Sequence, residues 1–303
     1  MDLSLLGTES PHSGTGELDR LPVTDLLALM NDADGVAVRA VRAALPAIAS
    51  AVDLVAASLR QGGRLVYLGA GTSGRIGMLD AVECPPTFGT DPAQVVTLLA
   101  GGPGAFTTAV EGAEDDPDGA VADLDALGIG PRDTVVGIAA SGRTPYVVGG
   151  LRHARALGAS TVSVACNPEA PISAHADVPV EVVTGPEVLT GSTRLKAGTA
   201  QKLVCNMLST AAMVQIGKVY GNLMVDLRPT NDKLRDRARR IVAEAAHTDL
   251  ATAEQALAAA GGHAKTAIIM LLTGSDAKQA DALLARSDGD VRTAVAASPA
   301  DRA

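Results

Sequence analysis

There is no tryptophan in this chain, and two phenylalanines and three tyrosines are all the aromatic surface it has. Stacking platforms for single-stranded nucleic acid are therefore almost absent. With 47 % hydrophobic residues the chain can still bury a sizeable core, but that core must be aliphatic. Basic residues are also in deficit. Lys and Arg number 25 against 34 Asp and Glu, a net charge of −9 that argues against a phosphate backbone or an anionic membrane as partner. No window approaches an uninterrupted apolar run of membrane-spanning length. The first 20 residues lack a basic stretch followed by an apolar one, so no secretory signal is expected. Cysteine is scarce as well. Cys84, Cys166 and Cys205 are odd in number, far apart and without metal-ligand spacing, which points to reduced thiols, a cytoplasmic protein and no metal site.

What is present is an alternation of short apolar runs and helical stretches. After a polar start, Thr24–Asn31 and Val36–Arg60 carry apolar residues at helical spacing, with Thr24 as a candidate N-cap. Strands are expected at Arg64–Gly69, Gln94–Ala100, Asp133–Ala139, Ser160–Cys166 and Asp177–Val183, with helices between them. Continuous apolar strands separated by helices describe a parallel sheet covered on both faces. A long helix is expected from about Lys196 to Gly217, and beyond Pro229 the pattern is helical throughout. Three divisions follow: an N-terminal helical segment (1–60), an α/β domain (61–247) and a small all-helical module (248–303).

Two loops stand out. Gly69-Ala-Gly-Thr-Ser-Gly74 follows the first strand and opens a helix. It is either a tight turn that uses glycine for its backbone freedom or an anion cradle at a helix N-terminus. The string also satisfies the dinucleotide fingerprint, but the second strand ends Leu99-Ala-Gly-Gly102, without the acid that a ribose requires. Thr72 and Ser73 suit a phosphate monoester better, and no nucleotide or other cofactor is implied. Ala139-Ala-Ser-Gly-Arg-Thr-Pro145 follows the third strand and opens another helix. Alone, Ser141 and Thr144 read equally well as helix caps. In a doubly wound five-stranded sheet of order 2-1-3-4-5, however, strands one and three are neighbours at the topological switch point, where both loops converge on one anion.

Two such loops, with S-G-x-T in the second, resemble the sugar isomerase (SIS) domain. That resemblance implies a phosphosugar ligand held by Ser73, Ser141 and Thr144. Many SIS domains carry a further serine where Ala139 stands, leaving this site fewer side-chain donors.

Longer strings narrow the resemblance. Leu79-Asp-Ala-Val-Glu-Cys-Pro-Pro86, Ala109-Val-Glu-Gly-Ala-Glu-Asp-Asp116 and Gly191-Ser-Thr-Arg-Leu-Lys-Ala-Gly-Thr-Ala-Gln-Lys202 resemble the N-acetylmuramic acid 6-phosphate etherases over nearly the whole chain. Eukaryotic regulators of glucokinase share parts of the pattern. The etherase reaction would release D-lactate from C3 of the sugar by elimination and readdition of water. By resemblance, Glu83 protonates the departing lactate, while Glu114 removes the C2 proton and activates the water. On the residues alone the plainer readings prevail: Glu83 as a solvated residue near a helix end, Glu114 as one of an exposed acidic run with Glu111, Asp115 and Asp116. Geometry adds a difficulty. A helix running unbroken from Ser73 to Glu83 would set the two about 15 Å apart. Either that helix ends early or Glu83 serves a site shared with a second subunit.

Arg143, Arg194, Lys196 and Lys202 lie in or beside family-like strings, and an arginine suits either a phosphate or a lactyl carboxylate. Arg143, Arg194 and Lys196 join Thr72 among the expected substrate contacts. Glucosamine-type SIS isomerases carry a glutamate in the region of Arg194, so simple aldose–ketose isomerisation is disfavoured here. A phosphosugar isomerase and a noncatalytic phosphosugar sensor remain the alternatives. The helical tail resembles a ubiquitin-associated module, read here as packing or dimer support. The aliphatic stretch Leu203–Ile216 is a candidate homodimer face, or equally part of the core.

Overall fold

In the computed structural model, residues 6–13, 15–227 and 231–298 are described; Pro229 and the first five residues lie outside that set. Two helices come first, α1 (Val23–Ala43) and α2 (Leu45–Arg60). The break between them falls at Ala44, not between Asn31 and Val36 as the sequence spacing suggests. Gly35 is accommodated inside α1, whereas Pro46 sits in the first turn of α2, where its missing N–H costs nothing. The residue capping α1 is Pro22, so Thr24 lies within the helix.

The five strands follow in alternation with helices: β1 (Leu65–Gly69), α3 (Gly71–Phe88), β2 (Val95–Leu99), α4 (Pro117–Leu127), β3 (Thr134–Ile138), α5 (Pro145–Ala156), β4 (Ser160–Ala165) and β5 (Val178–Glu181). All pairings are parallel and the order is β2-β1-β3-β4-β5, the doubly wound arrangement expected from the sequence. Side chains alternate across the sheet. Val66 and Leu68 of β1 pack with Val135, Leu124, Tyr146, Val147 and Leu151 on the face covered by α4 and α5. Tyr67 points the other way, where Gly77 of α3 lies so close that a Cβ would come within 2.8 Å of the Tyr67 Cβ. Each fully buried Leu or Val contributes about 1.5–3 kcal/mol.

One helix, α6 (Lys196–Gln215), is tied to α3 through a buried carboxylate. Asp80 accepts from the Tyr67 hydroxyl at 2.8 Å, Asn206 Nδ2 at 2.6 Å and Ser209 Oγ at 3.1 Å. Burial pushes the Asp80 carboxyl up, and these three donors oppose that. At the opposite end of the strands, Arg64 donates through Nε and Nη2 to Asp133, which also accepts from the amides of Arg64 and Gly130.

By its contacts the chain divides into Met1–Val82 with Ala93–Ser209, and Glu83–Pro92 with Thr210–Ala303. The second unit contains α7 (Asp232–Ala245), α8 (Leu250–Ala259), α9 (Ala264–Thr273), α10 (Ala277–Arg286) and α11 (Val291–Ala296). Its core is alanine-rich, with Ala253, Ala267, Ala280 and Ala294 at 0 % exposure beside Ile268 and Ile269, so short helices pack closely. Asn231, Asp249, Asp276 and Asp290 cap four of these helices with their side chains. The sequence reading starts a separate helical module near Thr248; α7 lies upstream of that point and packs in the same cluster as α8 and α9. No single helix among the described residues is long and apolar enough to cross a membrane.

Candidate active site

Parallel register brings the two hydroxyl loops together. Gly69 at the end of β1 pairs with Ile138 at the end of β3, so both loops leave neighbouring strands at one level of the sheet. The first loop turns tightly into α3. A Cβ on Gly74 would lie 2.4 Å from Leu99 Cδ1 and 2.7 Å from the Gly69 carbonyl, so glycine is required there. The first amides of α3, around Thr72 and Ser73, have no partner inside the helix and favour an anion. Thr72 is half-buried. Ser73 is buried and its hydroxyl donates to Gln201 Oε1 on α6 at 3.0 Å.

The second loop is pinned from below. Gly142 adopts φ +74°, and a Cβ there would meet the Ala170 Cβ at 2.4 Å. Asn167 Nδ2 donates to the Ala140 carbonyl at 3.2 Å and the Ser141 carbonyl at 3.4 Å, while Thr8 binds the same amide. Thr144 holds the N-cap position of α5, yet its side chain makes no capping bond. Its role is thus not that of a cap, and the hydroxyl is available to a ligand. Ser141 Oγ accepts from the Arg143 amide at 3.4 Å. The Arg143 guanidinium has a buried Nη1 with no hydrogen-bond partner among the described residues. A buried cation donor left unpaired is costly, and an anion at this loop would satisfy it.

Glu114 sits in the short helical turn Ala113–Asp115 on the connection from β2 to α4. It is exposed and lines a cavity of about 180 Å³ with Glu111, Arg75 and, from the first loop, Ala70 and Gly71. The structure thus brings Glu114 beside the phosphate-type loop. Arg194 and Lys196 line a different cavity of about 210 Å³, together with Asp34 and Glu187. Lys196 is buried and its Nζ donates to the Pro186 carbonyl; burial lowers its pKa, while Glu187 and Asp34 oppose that. Burial raises the Glu187 carboxyl, against bonds from the amides of Ala197 and Lys196. Burial also pushes the Cys166 thiol up to about 12 and Cys205 well up, so neither is a thiolate nucleophile.

Glu83 corrects one expectation. Helix α3 does not end early; it runs from Gly71 to Phe88 with Pro85 and Pro86 inside it. Cys84 and Phe88, one turn apart, are buried and hold the last turn in place despite the two amides that proline removes. Glu83 itself is exposed. Leu79 and Val82, large apolar residues of the same helix, are 51 % and 57 % exposed. Sequence reasoning overlooked Arg75, Asn167 and Gln201. Arg75 directly follows the first loop and Gln201 stands within a family-like string, whereas Asn167 carries no pattern that marks it.

Sheet order and paired loops define a SIS-domain protein. Residues 47–155 match the family model of the glucokinase regulatory protein N-terminal SIS domain, and residues 114–211 match that of the SIS domain. A protein of Mycolicibacterium smegmatis named N-acetylmuramic acid 6-phosphate etherase is 67 % identical over 98 % of this chain and 100 % of its own length. Proteins of the same name from Streptomyces avermitilis and an Exiguobacterium species are 55 % and 56 % identical, over 98 % and 97 % of this chain and 96 % and 100 % of theirs. The chain belongs to the N-acetylmuramic acid 6-phosphate etherase family.

Proposed function

We propose that this chain cleaves the D-lactyl ether of N-acetylmuramic acid 6-phosphate, giving N-acetylglucosamine 6-phosphate and D-lactate, as a carbon–oxygen lyase of cell-wall sugar recycling. The observation that carries this reading is identity of 55–67 % to proteins of that name over nearly the full chain. Thr72, Ser73, Ser141, Thr144 and Arg143 hold the phosphate at the two loops. Arg194 and Lys196, in their separate cavity, stay on this proposal as more remote substrate contacts.

The chemistry follows from the open-chain sugar, whose C1 aldehyde acidifies the C2 proton. Glu114 takes that proton, the electron pair forms the C2–C3 double bond, and the C3–O bond breaks as Glu83 gives a proton to the leaving oxygen. Glu114 passes the C2 proton to solvent and, as a carboxylate again, deprotonates the water that adds at C3. It then returns that proton to C2, and Glu83 regains its own from solvent. Each positioned proton transfer supplies roughly 10²–10⁴-fold.

Glu83 lies about 15 Å along α3 from Ser73 by helical rise. We therefore propose that it completes the site of a second copy in a homodimer. Its exposure, and that of Leu79 and Val82, support such a pairing. On this reading 61–247 binds the phosphosugar, 1–60 packs against it and 248–303 gives packing or dimer support. A cytoplasmic location fits a phosphorylated substrate and three cysteines that are all buried. The match of 47–155 to a regulatory-protein domain favours one other reading, a phosphosugar sensor without catalysis. Incubation with N-acetylmuramic acid 6-phosphate in ¹⁸O-water tests the proposal: unlabelled lactate and label on the sugar support elimination and readdition. No lactate from folded protein would leave the sensor.

A further inference from the structure

The cavity beside the first loop is acidic. Glu111 and Glu114 line it, and among the described residues around it Arg75 is the single cation. A substrate that brings its own carboxylate into this space meets two like charges unless a cation offsets them.

Arg75 is prepared for that task. It is the fifth residue of α3, one turn beyond the anion cradle. Its Nε donates to the Phe106 carbonyl at 2.9 Å and its Nη2 to the Ala105 carbonyl at 2.8 Å. Both bonds use the Nε/Nη2 edge of the guanidinium. The group is planar and carries five donors, so the adjoining Nη1/Nη2 end keeps two parallel N–H bonds, the arrangement that grips a carboxylate in bidentate fashion. Because one edge is fixed to the backbone, little rotamer freedom is left to lose on binding. Arg143 stands on the other hydroxyl loop, so the two arginines divide between two anionic groups of one ligand.

We infer that Arg75 is the specificity-determining residue of this site and takes the lactyl carboxylate of the substrate, leaving the phosphate to the two hydroxyl loops. The inference rests on the etherase reading. It explains how a cradle suited to any phosphosugar distinguishes the ether substrate from its own product, which has the phosphate but no carboxylate.

The test compares these two ligands. In a Glu83→Gln background, which stops turnover, calorimetry measures the dissociation constants of N-acetylmuramic acid 6-phosphate and N-acetylglucosamine 6-phosphate with Arg75 intact and as Arg75→Gln. The expected result is a loss of roughly ten- to a hundredfold for the ether substrate and less than about twofold for the product. Equal weakening of both would make Arg75 a phosphate or scaffold group, and no change in either would make it a loop latch; each overturns the inference. Arg75→Lys keeps the charge without the fork, gives a smaller loss on the ether substrate alone, and carries the test if the glutamine variant does not fold. Lactate release by the unaltered protein reports on the etherase reading independently.

Discussion

The Ser73 hydroxyl donates to Oε1 of Gln201 across 3.0 Å, and Nε2 of that same buried amide has no partner among the described residues. In this arrangement the serine's one hydrogen faces away from any ligand. Exchanging the ends of the amide would let Nε2 donate to Ser73, freeing the serine hydrogen for a phosphate oxygen. Gln201→Glu can only accept, so it locks the hydroxyl and adds a negative charge. We expect phosphosugar affinity to fall by roughly ten- to a hundredfold in calorimetry with N-acetylglucosamine 6-phosphate. Gln201→Met removes the acceptor and is expected to do less harm; a larger loss in Met than in Glu would refute the orienting role.

Splitting the proton transfers gives a second prediction. In D₂O, Glu114→Gln is expected to lose both C2 exchange and lactate release by roughly 10²–10⁴-fold. Glu83→Gln is expected to keep C2 exchange while losing lactate release by a similar factor. NMR of the sugar follows exchange, and a lactate assay follows elimination. Equal loss of exchange in both variants would contradict the separate assignments.

Backbone fit at the second loop is a third. Gly142→Ala must place a Cβ at φ +74° and 2.4 Å from the Ala170 Cβ. The expected cost is about 3 kcal/mol in urea unfolding, with loss of phosphosugar binding because Ser141 and Thr144 flank the distorted residue.

Most of the scaffold is legible in the sequence because its signals are local. Val66, Val135, Val136, Val162 and Val164 lie in apolar runs bounded by glycine or polar residues, and the five strands fall within two residues of expectation. An early end of α3 is expected only because an unbroken helix sets Glu83 far from Ser73; the helix nonetheless runs on through Pro85 and Pro86 to Phe88, with Cys84 and Phe88 buried. Gln201 and Asn167 are different. Their meaning depends on what α6 and β4 bring beside loops more than a hundred and about thirty residues away in the chain, respectively, which no spacing rule encodes.

The Arg64–Asp133 pair sets a pH-dependent prediction. Burial alone would raise Asp133, but Arg64 and the Gly130 amide outweigh it and hold the carboxyl below its ordinary value. The folded chain therefore releases this proton at lower pH than the unfolded chain does. The resulting stability is full above roughly pH 4 and drains as the pH falls through the folded value. Asp133→Ala is expected to cost on the order of 3 kcal/mol at pH 7, since it leaves Arg64 without its partner. The gap between variant and parent, read from urea curves, should narrow as the solution is acidified from pH 5 to pH 3; a constant gap would remove the carboxylate from the account.

The parallel register that sets Gly69 beside Ile138 has an evolutionary consequence. On the proposed assignments the connections leaving β1 and β3 carry the grip on the phosphate, while Glu114 rides on the one leaving β2. The grip and the C2 base are thus inherited on separate stretches of chain, each anchored to its own strand, while Glu83 shares α3 with the first loop. On that division a lineage can rewrite the segment between Leu99 and Pro117, and with it the C2 base, without renegotiating how the sugar phosphate is held.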